Sequence, residues 1–271
     1  LDTEFHFLTF LTNNEVNHVA EPITFDIENN LGLFSYLPGE VPTQINKNLI
    51  SQACEFIRKI NDPKLIQPNV PFPDASEACF SIISHINCIK KRVNRLMNIL
   101  PASPIQYDVS GFVQSSLVPS LNKITKDIVE KYSNKKLQEN LLEGSKIISP
   151  SDFGFQNTLI DNETLYFLDF EYAGIDDPAK LICDFGCHPE IPVKDAYLRT
   201  FKDSLYSWLE DAKDSIHRSE ILMPLYRLKW CCIMLNEFTS TGKARRDHAG
   251  EMFDYENQLQ KSKIYFSKYL D

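Results

Sequence analysis

One segment near the middle of the 271-residue chain constrains its fold more than any other. Lys146–Ser149, Thr158–Ile160 and Leu165–Leu168 are predicted to be short apolar strands, and the sequence DNET between the last two is typical of a turn. A strand–turn–strand hairpin brings the residue before its first strand close to the residue after its second. These residues are Asn157 and Asp169, so the sequence predicts an amide and a carboxylate at the open end of one hairpin.

The loop before this hairpin adds a third polar residue, Asp152, five positions ahead of Asn157. Hard cations such as Mg²⁺ take oxygen ligands from one or two protein groups and fill the remaining positions with phosphates and waters. An Asn and an Asp brought together suit that need, and Asp152 can then accept the proton of a substrate hydroxyl. Because phosphoryl transfer depends mainly on positioning and charge neutralisation, the three residues together favour a metal-dependent phosphotransferase.

The rest of the chain is predicted to be mostly helical. The opening residues carry Phe5, Leu8 and Leu11 at helical spacing, and a first hairpin is predicted from Ile23–Asp26 and Leu33–Tyr36. The predicted strands are few and do not alternate regularly with helices, which argues against a doubly wound parallel sheet. The other predicted helices are Asn46–Ile60, Ala75–Leu100 with Asp74 as its cap, Val118–Tyr132, Asp195–Ala212, Ile216–Glu237 and Arg246–Tyr269.

Composition narrows the range of partners. Asp and Glu exceed Lys and Arg by nine charges, whereas proteins that bind nucleic acids display clustered positive charge, so we expect no nucleic-acid partner. The acidic excess fits a cationic substrate, although solubility alone also explains it. No apolar run approaches the ~20 residues that span a bilayer, and the chain opens on acids where a signal peptide has basic residues. We therefore expect a cytoplasmic protein without membrane contact.

Seven cysteines are present, and none of them forms a CxxC pair. The nearest metal-like group is Cys183, Cys187 and His188, but a structural zinc site needs about four ligands. Reduced thiols are the favoured interpretation. An incidental zinc site in a helical protein stays open as a separate hypothesis.

The segments PSDFGFQN and FLDFEYAGIDDPAKLICDF resemble the HGDxxxxN loop and the IDWEYAGxGDPAxDLA segment of aminoglycoside phosphotransferases and choline/ethanolamine kinases. The resemblance covers nearly the whole chain and implies an α+β, protein-kinase-like fold. It implies a truncated small N-lobe at residues 1–38, with an αC-like helix, a β-hairpin and a hinge, and a large, mostly helical C-lobe at 39–271. It also implies a small-molecule kinase that uses ATP, or another NTP, and Mg²⁺ to phosphorylate a hydroxyl of an amino sugar, amino alcohol or saccharide.

The same resemblance assigns individual roles. Asp152 is implied to be the catalytic aspartate, Asn157 and Asp169 the Mg²⁺ ligands, and Glu171 a support for the metal or a residue facing the substrate. Two literal DFG triplets occur, and neither has the role of the kinase DFG. The resemblance implies that Asp184, in the second triplet, has a structural role in supporting the catalytic loop. We expect this residue to lie at the start of a helix.

Three further residues are matched to the nucleotide side of the family's site. The segment GLFSYLPGE resembles its hinge, where backbone groups at Ser35 and Leu37 would bind the adenine edge. Glu4 lies where the family has its αC glutamate. For Ser35 and Leu37 the alternative is an ordinary strand that ends at Pro38 and Gly39, which the segment taken alone favours. For Glu4 the alternative is a solvated charge on the helix.

Near the C-terminus, Tyr226 and Trp230 are spaced as core residues of a helix. In an open cleft they would instead cover a cationic or sugar substrate, with Glu237 adding charge. Arg245 and Arg246 are predicted to lie in a solvated loop, with anion binding as the alternative.

The sequence also departs from the family pattern. No glycine-rich loop and no lysine precede Glu4, because the chain opens at Leu1 on the αC-like helix, and Pro150 stands where the family has histidine. The expectation is that the phosphate-holding half of the nucleotide site is absent or is supplied by residues upstream. A catalytically degenerate kinase-fold protein with a binding or scaffolding role is therefore the alternative function.

Overall fold

The computed structural model describes residues 1–65, 72–242 and 254–271. The start of the last predicted helix at Arg246, and the candidate anion-binding residues Arg245 and Arg246, lie outside these ranges. The helices are α1 (Asp2–Asn13), α2 (Lys47–Ile60), α3 (Ile82–Met97), α4 (Pro104–Phe112), α5 (Val118–Val129), α6 (Asn134–Gln138), α7 (Pro178–Cys187), α8 (Asp195–Tyr206), α9 (Ala212–Met234) and α10 (Tyr255–Tyr269). The strands are β1 (Pro22–Asp26), β2 (Leu31–Phe34), β3 (Ile147–Ser149), β4 (Thr158–Asp161), β5 (Thr164–Phe167) and β6 (Gly174–Asp176).

The predicted N-terminal hairpin is present as the antiparallel pair of β1 and β2. Its second strand begins two residues earlier than predicted, because Leu31 pairs with Asp26. Helix α1 packs on this hairpin through Phe5, whose ring lies 5.4 Å from that of Phe25 and 6.0 Å from that of Phe34.

The prediction that a helix begins at Ala75 with Asp74 as its cap is wrong. Helix α3 begins after Ser81, whose hydroxyl accepts a hydrogen bond from the Ser84 N–H while the Ser84 hydroxyl accepts one from the Ser81 N–H. This reciprocal capping box satisfies two N–H groups that a helix start otherwise leaves without partners. Asp74 instead forms a parallel bridge with Ile175.

The central segment forms two separate two-stranded antiparallel sheets, β4–β5 and β3–β6. The first is the predicted hairpin, whereas β6 was not predicted. Gly174 in β6 permits the close approach of a neighbouring chain segment, because a Cβ there would lie 2.4 Å from the Pro73 carbonyl oxygen and 2.6 Å from the Ala75 nitrogen. β6 thus joins β3 on one side and the segment around residue 74 on the other.

The chain divides into two compact units, one of residues 1–80 and 141–219 and the other of residues 81–140 and 220–271. The first unit contains a core of stacked aromatic rings, to which α2, the loop after β3, β5, α7 and α8 each contribute a phenylalanine. These residues are Phe56, Phe153, Phe167, Phe185 and Phe201, with neighbouring centroids 4.0 to 6.2 Å apart. Such ring pairs add stability beyond the burial of their surface.

The second unit is helical in its described residues. Within it the Nδ1 atom of the buried His85 on α3 lies 2.7 Å from the hydroxyl of Tyr226 on α9. The hydroxyl of Ser262 on α10 donates to the carbonyl of Cys231, so α10 packs against the second half of α9. None of the helices in the described residues combines the length and apolar character that crossing a bilayer requires.

Candidate active site

The hairpin of β4 and β5 places Asn157 and Asp169 at its open end. The Leu168 N–H donates to the Asn157 carbonyl at 3.0 Å, one step beyond the Thr158–Phe167 pair, so the backbone pairing continues up to these residues. Asp169 then leaves the strand with φ of +62°, in the left-handed region. For a residue with a Cβ this conformation costs on the order of 1 kcal/mol, which the surrounding contacts must offset.

The third residue of the trio, Asp152, is hydrogen-bonded to Asn157. The Nδ2 of Asn157 lies 3.0 Å from the Asp152 carbonyl oxygen and 3.4 Å from its Oδ2. With the NH₂ group directed at Asp152, the Oδ1 atom of Asn157 is the side-chain atom able to serve as a metal ligand. The loop therefore brings the predicted catalytic aspartate and one predicted metal ligand into direct contact.

Phenylalanines anchor the loop between Asp152 and Asn157. Phe153 and Phe155 are buried, and their rings lie 5.5 Å and 5.7 Å from the ring of Phe185. Phe153 and Phe185 are the central residues of the two DFG triplets. The triplets therefore contribute core packing that holds the loop in place.

Three acidic residues approach one another beside the hairpin mouth. Burial raises the pKa of Asp169, and the neighbouring Glu171 carboxylate raises it further. Burial also raises the pKa of Glu4, against an opposing hydrogen bond from the Phe170 N–H, and the Asp169 charge adds to the increase. Among the described residues none of these three acids forms an ion pair with Lys or Arg, so the mouth is a region of negative potential suited to a cation.

Glu4 is held there by the packing of α1. Phe7, one turn further along this helix, is fully buried and its ring lies 5.2 Å from that of Phe170. A cavity of about 310 Å³ lies between α1, β2 and the end of β5, lined by Glu4, Leu8, Phe34 and Asp169 among others. Its volume is at the lower end of the range for small-molecule sites, roughly 300–1,000 Å³.

The predicted hinge residues follow β2 beside this cavity. The Ser35 N–H donates to the Glu21 carbonyl at 2.9 Å, and its hydroxyl accepts from the Glu21 N–H at 2.8 Å. The Ser35 N–H is therefore occupied by the hairpin. The backbone of Leu37 makes no hydrogen bond within the described ranges, so Leu37 is the better placed of the two to bind a ligand.

Asp184 lies in the second half of α7, and the prediction that it begins a helix is wrong, because the helix starts at Pro178. Asp177 caps this start: its Oδ1 accepts from the Ala179 N–H at 2.6 Å and from Arg218 at 2.6 Å. The carboxylate of Asp184 is buried 3.7 Å from the Nζ of Lys180.

The C-terminal candidates lie in the second unit. Tyr226 and Trp230 are 1% and 7% exposed, as core residues would be. Glu237 is partly exposed, in a 3-10 turn at Asn236–Phe238. A substrate role for these three residues stays a prediction, and the burial of the two aromatic rings does not support it.

Cys183 and Cys187 are fully buried, and burial raises the pKa of the Cys183 thiol well above its ordinary value. Within residues 1–65, 72–242 and 254–271, no three His, Cys, Asp or Glu side chains are grouped to hold a metal. A cation at Asn157 and Asp169 would thus depend on phosphate oxygens and waters for its remaining ligands. This is the way Mg²⁺ is ordinarily held in phosphate-transfer sites, so the donor set fits Mg²⁺.

Two residues of this region were not singled out by the sequence. Both side-chain amide atoms of Gln156, next to Asn157, are buried without a hydrogen-bond partner in the described part of the chain. Lys180 is buried against the loop that carries Asp152. Glutamine and lysine are mostly exposed in proteins, and no local pattern distinguishes the buried exceptions.

No protein-family model and no curated protein matches this sequence. Solved structures do match. A choline/ethanolamine kinase family protein from Mesorhizobium loti has a TM-score of 0.56 and 13% identity over 99% of this chain and 81% of its own. A spectinomycin phosphotransferase in complex with ADP and spectinomycin has a TM-score of 0.59 and 12% identity over 100% and 79%. An ADP-bound aminoglycoside phosphotransferase has a TM-score of 0.58 and 13% identity over 99% and 81%.

Identities this low establish the fold alone. They confirm the predicted fold class, with a small N-lobe and a mostly helical C-lobe. The predicted boundary between the lobes at residues 38 and 39 stays a prediction. The chain therefore has the protein-kinase-like α+β fold shared by choline/ethanolamine kinases and aminoglycoside phosphotransferases.

Proposed function

We propose that this chain is an ATP- and Mg²⁺-dependent phosphotransferase that acts on a hydroxyl group of a small polar molecule. The observation that carries the proposal is the direct hydrogen bonding of Asn157 to Asp152 at the open end of the hairpin that ends in Asp169. A fold shared with small-molecule kinases, two of them bound to ADP, supports the same reaction class.

Each member of the trio has a distinct part in this reaction. Asp152 orients the acceptor hydroxyl and takes its proton as the oxygen attacks the terminal phosphorus of ATP; the bond from that phosphorus to the bridging oxygen breaks, and ADP leaves. Asn157, through Oδ1, and Asp169, through its carboxylate, would hold Mg²⁺, which when bound neutralises phosphate charge. Leu37 and the cavity lined by Phe34 and Glu4 are the proposed nucleotide side of the site.

The substrate would be an amino alcohol, amino sugar or saccharide. The neighbouring structures include proteins that bind spectinomycin and gentamicin, and a Plasmodium vivax ethanolamine kinase. The three acids near the open end of the hairpin, which form no ion pair with Lys or Arg in the described residues, favour an acceptor that carries positive charge. We propose an intracellular, cytoplasmic site of action for the same chemistry, since ATP is the phosphate donor.

The second candidate is a catalytically degenerate kinase-fold protein that binds a ligand or a partner. The observation that favours it is Glu4, which has no lysine partner among the described residues although kinases pair this glutamate with a phosphate-binding lysine. Weak phosphate binding would follow, and with it weak or absent turnover.

One experiment separates the two candidates. Calorimetry with Mg·ATP measures nucleotide binding, and transfer of labelled phosphate from ATP is measured with choline, ethanolamine, spectinomycin and gentamicin as acceptors and with water alone. The kinase proposal expects binding and transfer, and a loss of about 10²-fold or more for Asp152→Ala. Asp161→Ala, at the other end of the same hairpin, is the matched control and should keep native transfer. Absence of both binding and transfer would establish the degenerate alternative.

A further inference from the structure

Lys180 is a buried cation behind the loop that carries Asp152. It lies on the first turn of α7 and is 2% exposed. Its Nζ lies 2.5 Å from Oδ2 of Asp176, 2.9 Å from Oγ of Ser151 and 3.7 Å from Oδ2 of Asp184. The first two contacts are hydrogen bonds donated by the ammonium, and the third is an ion pair.

The two carboxylates keep this lysine charged. Burial lowers the pKa of Lys180, but Asp176 and Asp184 raise it by more, so the net shift is upward. Of its three neighbours, the carboxylates balance the charge. The third, the neutral hydroxyl of Ser151, lies in the loop of the candidate active site.

Ser151 holds an unusual backbone conformation directly before Asp152. Its φ is +68°, in the left-handed region where glycine is favoured. Its N–H donates to the Ser149 hydroxyl at 3.0 Å, and its own hydroxyl lies 3.4 Å from the Ser76 carbonyl. The Ser151 hydroxyl also accepts from the Nζ of Lys180 at 2.9 Å, so the lysine is one of the groups that hold this serine in place.

We propose that Lys180 is a positioning residue: by donating to the Ser151 hydroxyl, it fixes the backbone that aims the Asp152 carboxylate at the acceptor hydroxyl. This role rests on the proposed phosphotransferase function and adds to it a determinant outside the Asp152, Asn157 and Asp169 trio. A small displacement of a reacting group is enough to reduce turnover strongly. Losing the hydrogen bond should therefore lower kcat more than it affects nucleotide binding.

Replacing Lys180 itself is a poor test, because it would leave Asp176 and Asp184 buried without a counter-charge and endanger the fold. Ser151→Ala removes the acceptor, together with the 3.4 Å contact of the same hydroxyl with the Ser76 carbonyl, and keeps the ion pairs. Ser151→Gly also removes the acceptor but relieves the left-handed strain. Ser145→Ala is the matched control, because it deletes another buried serine hydroxyl of the same unit, one that donates to Asp211 at 2.7 Å.

The readouts are kcat and KM for Mg·ATP hydrolysis, followed as labelled phosphate release, and hydrogen–deuterium exchange of residues 149–157. We expect both Ser151 variants to lower kcat by about 10- to 100-fold with KM within twofold, and to exchange faster in this segment. Ser145→Ala should retain native kcat. In an Asp152→Ala background the Ser151 variants should cause no further loss, because no carboxylate remains to be positioned.

Three results would overturn the role of Lys180 alone: native kcat in Ser151→Ala, native kcat in Ser151→Gly, or an equal loss with and without Asp152. The second would mean that backbone strain, not the lost hydrogen bond, slows Ser151→Ala. If the native chain transfers phosphate from Mg·ATP neither to water nor to the acceptors named above, or if Asp152→Ala transfers it normally, the proposed function itself fails and the positioning role fails with it.

Discussion

The side-chain NH₂ of Asn157 lies 3.0 Å from the backbone carbonyl oxygen of Asp152 and 3.4 Å from its carboxylate. The Asn157 side chain thus closes the loop of four residues that separates it from Asp152, and it contacts the carboxylate of that aspartate. Because the NH₂ group is used in this way, the Oδ1 atom of Asn157 points elsewhere and can serve a cation. In the proposed site, loop closure and metal binding would therefore use opposite ends of the same amide group.

Asn157→Asp separates these two functions. The variant keeps an oxygen ligand but loses both hydrogen bonds and places a second negative charge beside Asp152. We expect kcat for Mg·ATP hydrolysis to fall by about 10²-fold while half-maximal activity is reached at similar Mg²⁺ concentration. Asn157→Leu removes the ligand as well and should also raise the Mg²⁺ requirement. Asn162→Asp, in the hairpin turn, is the control, and an equal loss in that variant would contradict the assignment.

Asp169→Asn should make the metal-free chain more stable. The pKa of Asp169 is raised by burial and by Glu171, so its ionised form opposes folding at neutral pH. Because Asp169 is partly exposed and its charge is screened by water, the gain in unfolding free energy should stay below about 1 kcal/mol. Urea unfolding at pH 7 measures this gain, and a metal-free variant that is less stable than the metal-free native chain would contradict the prediction.

Added MgCl₂ with ATP should stabilise the native chain but not the variant.

The raised pKa of Asp169 also predicts how the stability of the chain depends on pH. An acid whose pKa is raised in the folded state contributes stability that is complete below its unfolded pKa and is lost as the pH rises through its folded pKa. Lowering the pH from 7 toward 4 should therefore reduce the stability difference between the native chain and Asp169→Asn. Glu4→Gln should behave in the same way, because the pKa of Glu4 is also raised. Urea unfolding at a series of pH values checks both variants, and a difference that grows on acidification would refute the prediction.

The features that were predicted correctly from the sequence are determined by residues close to each other in the chain. The turn residues between β4 and β5 define the hairpin that carries Asp169, and Asn46 was predicted at the start of α2, where its side chain accepts a hydrogen bond from the helix. Such features depend on residues within a few positions of each other, so their patterns are legible in one sequence.

What it missed depends on distant partners. Strand β6 is only three residues long and exists through pairing with β3, far away in the chain. Lys180 and Asp176 look like ordinary surface charges until the fold buries them together. Glu4 fitted a solvated helix charge and a site residue equally well, and the packing of Phe7 on Phe170 determines its place at the cavity.

Asn61 provides a test of how β3, the strand before the loop that carries Asp152, is held in place. It is 3% exposed, and its Nδ2 donates to the carbonyls of Ile57 and Ile148, both at 2.9 Å. Its Oδ1 accepts from the Ile148 N–H at 2.8 Å, so one amide satisfies both backbone groups of the central residue of β3. This strand leads directly into the loop that carries Asp152.

Asn61→Ala should therefore destabilise the chain by about 2–4 kcal/mol, because the buried backbone groups of Ile148 lose their side-chain partners. Asn48→Ala is the matched control: it lies on the same helix and donates to the Glu163 carbonyl at 3.3 Å from an exposed position, so the change should stay within about 0.5 kcal/mol. Urea unfolding measures both, and hydrogen exchange of the Ile148 amide localises the effect. Equal losses in the two variants would mean that Asn61 contributes no more than a surface hydrogen bond, and that β3 is held by β6 alone.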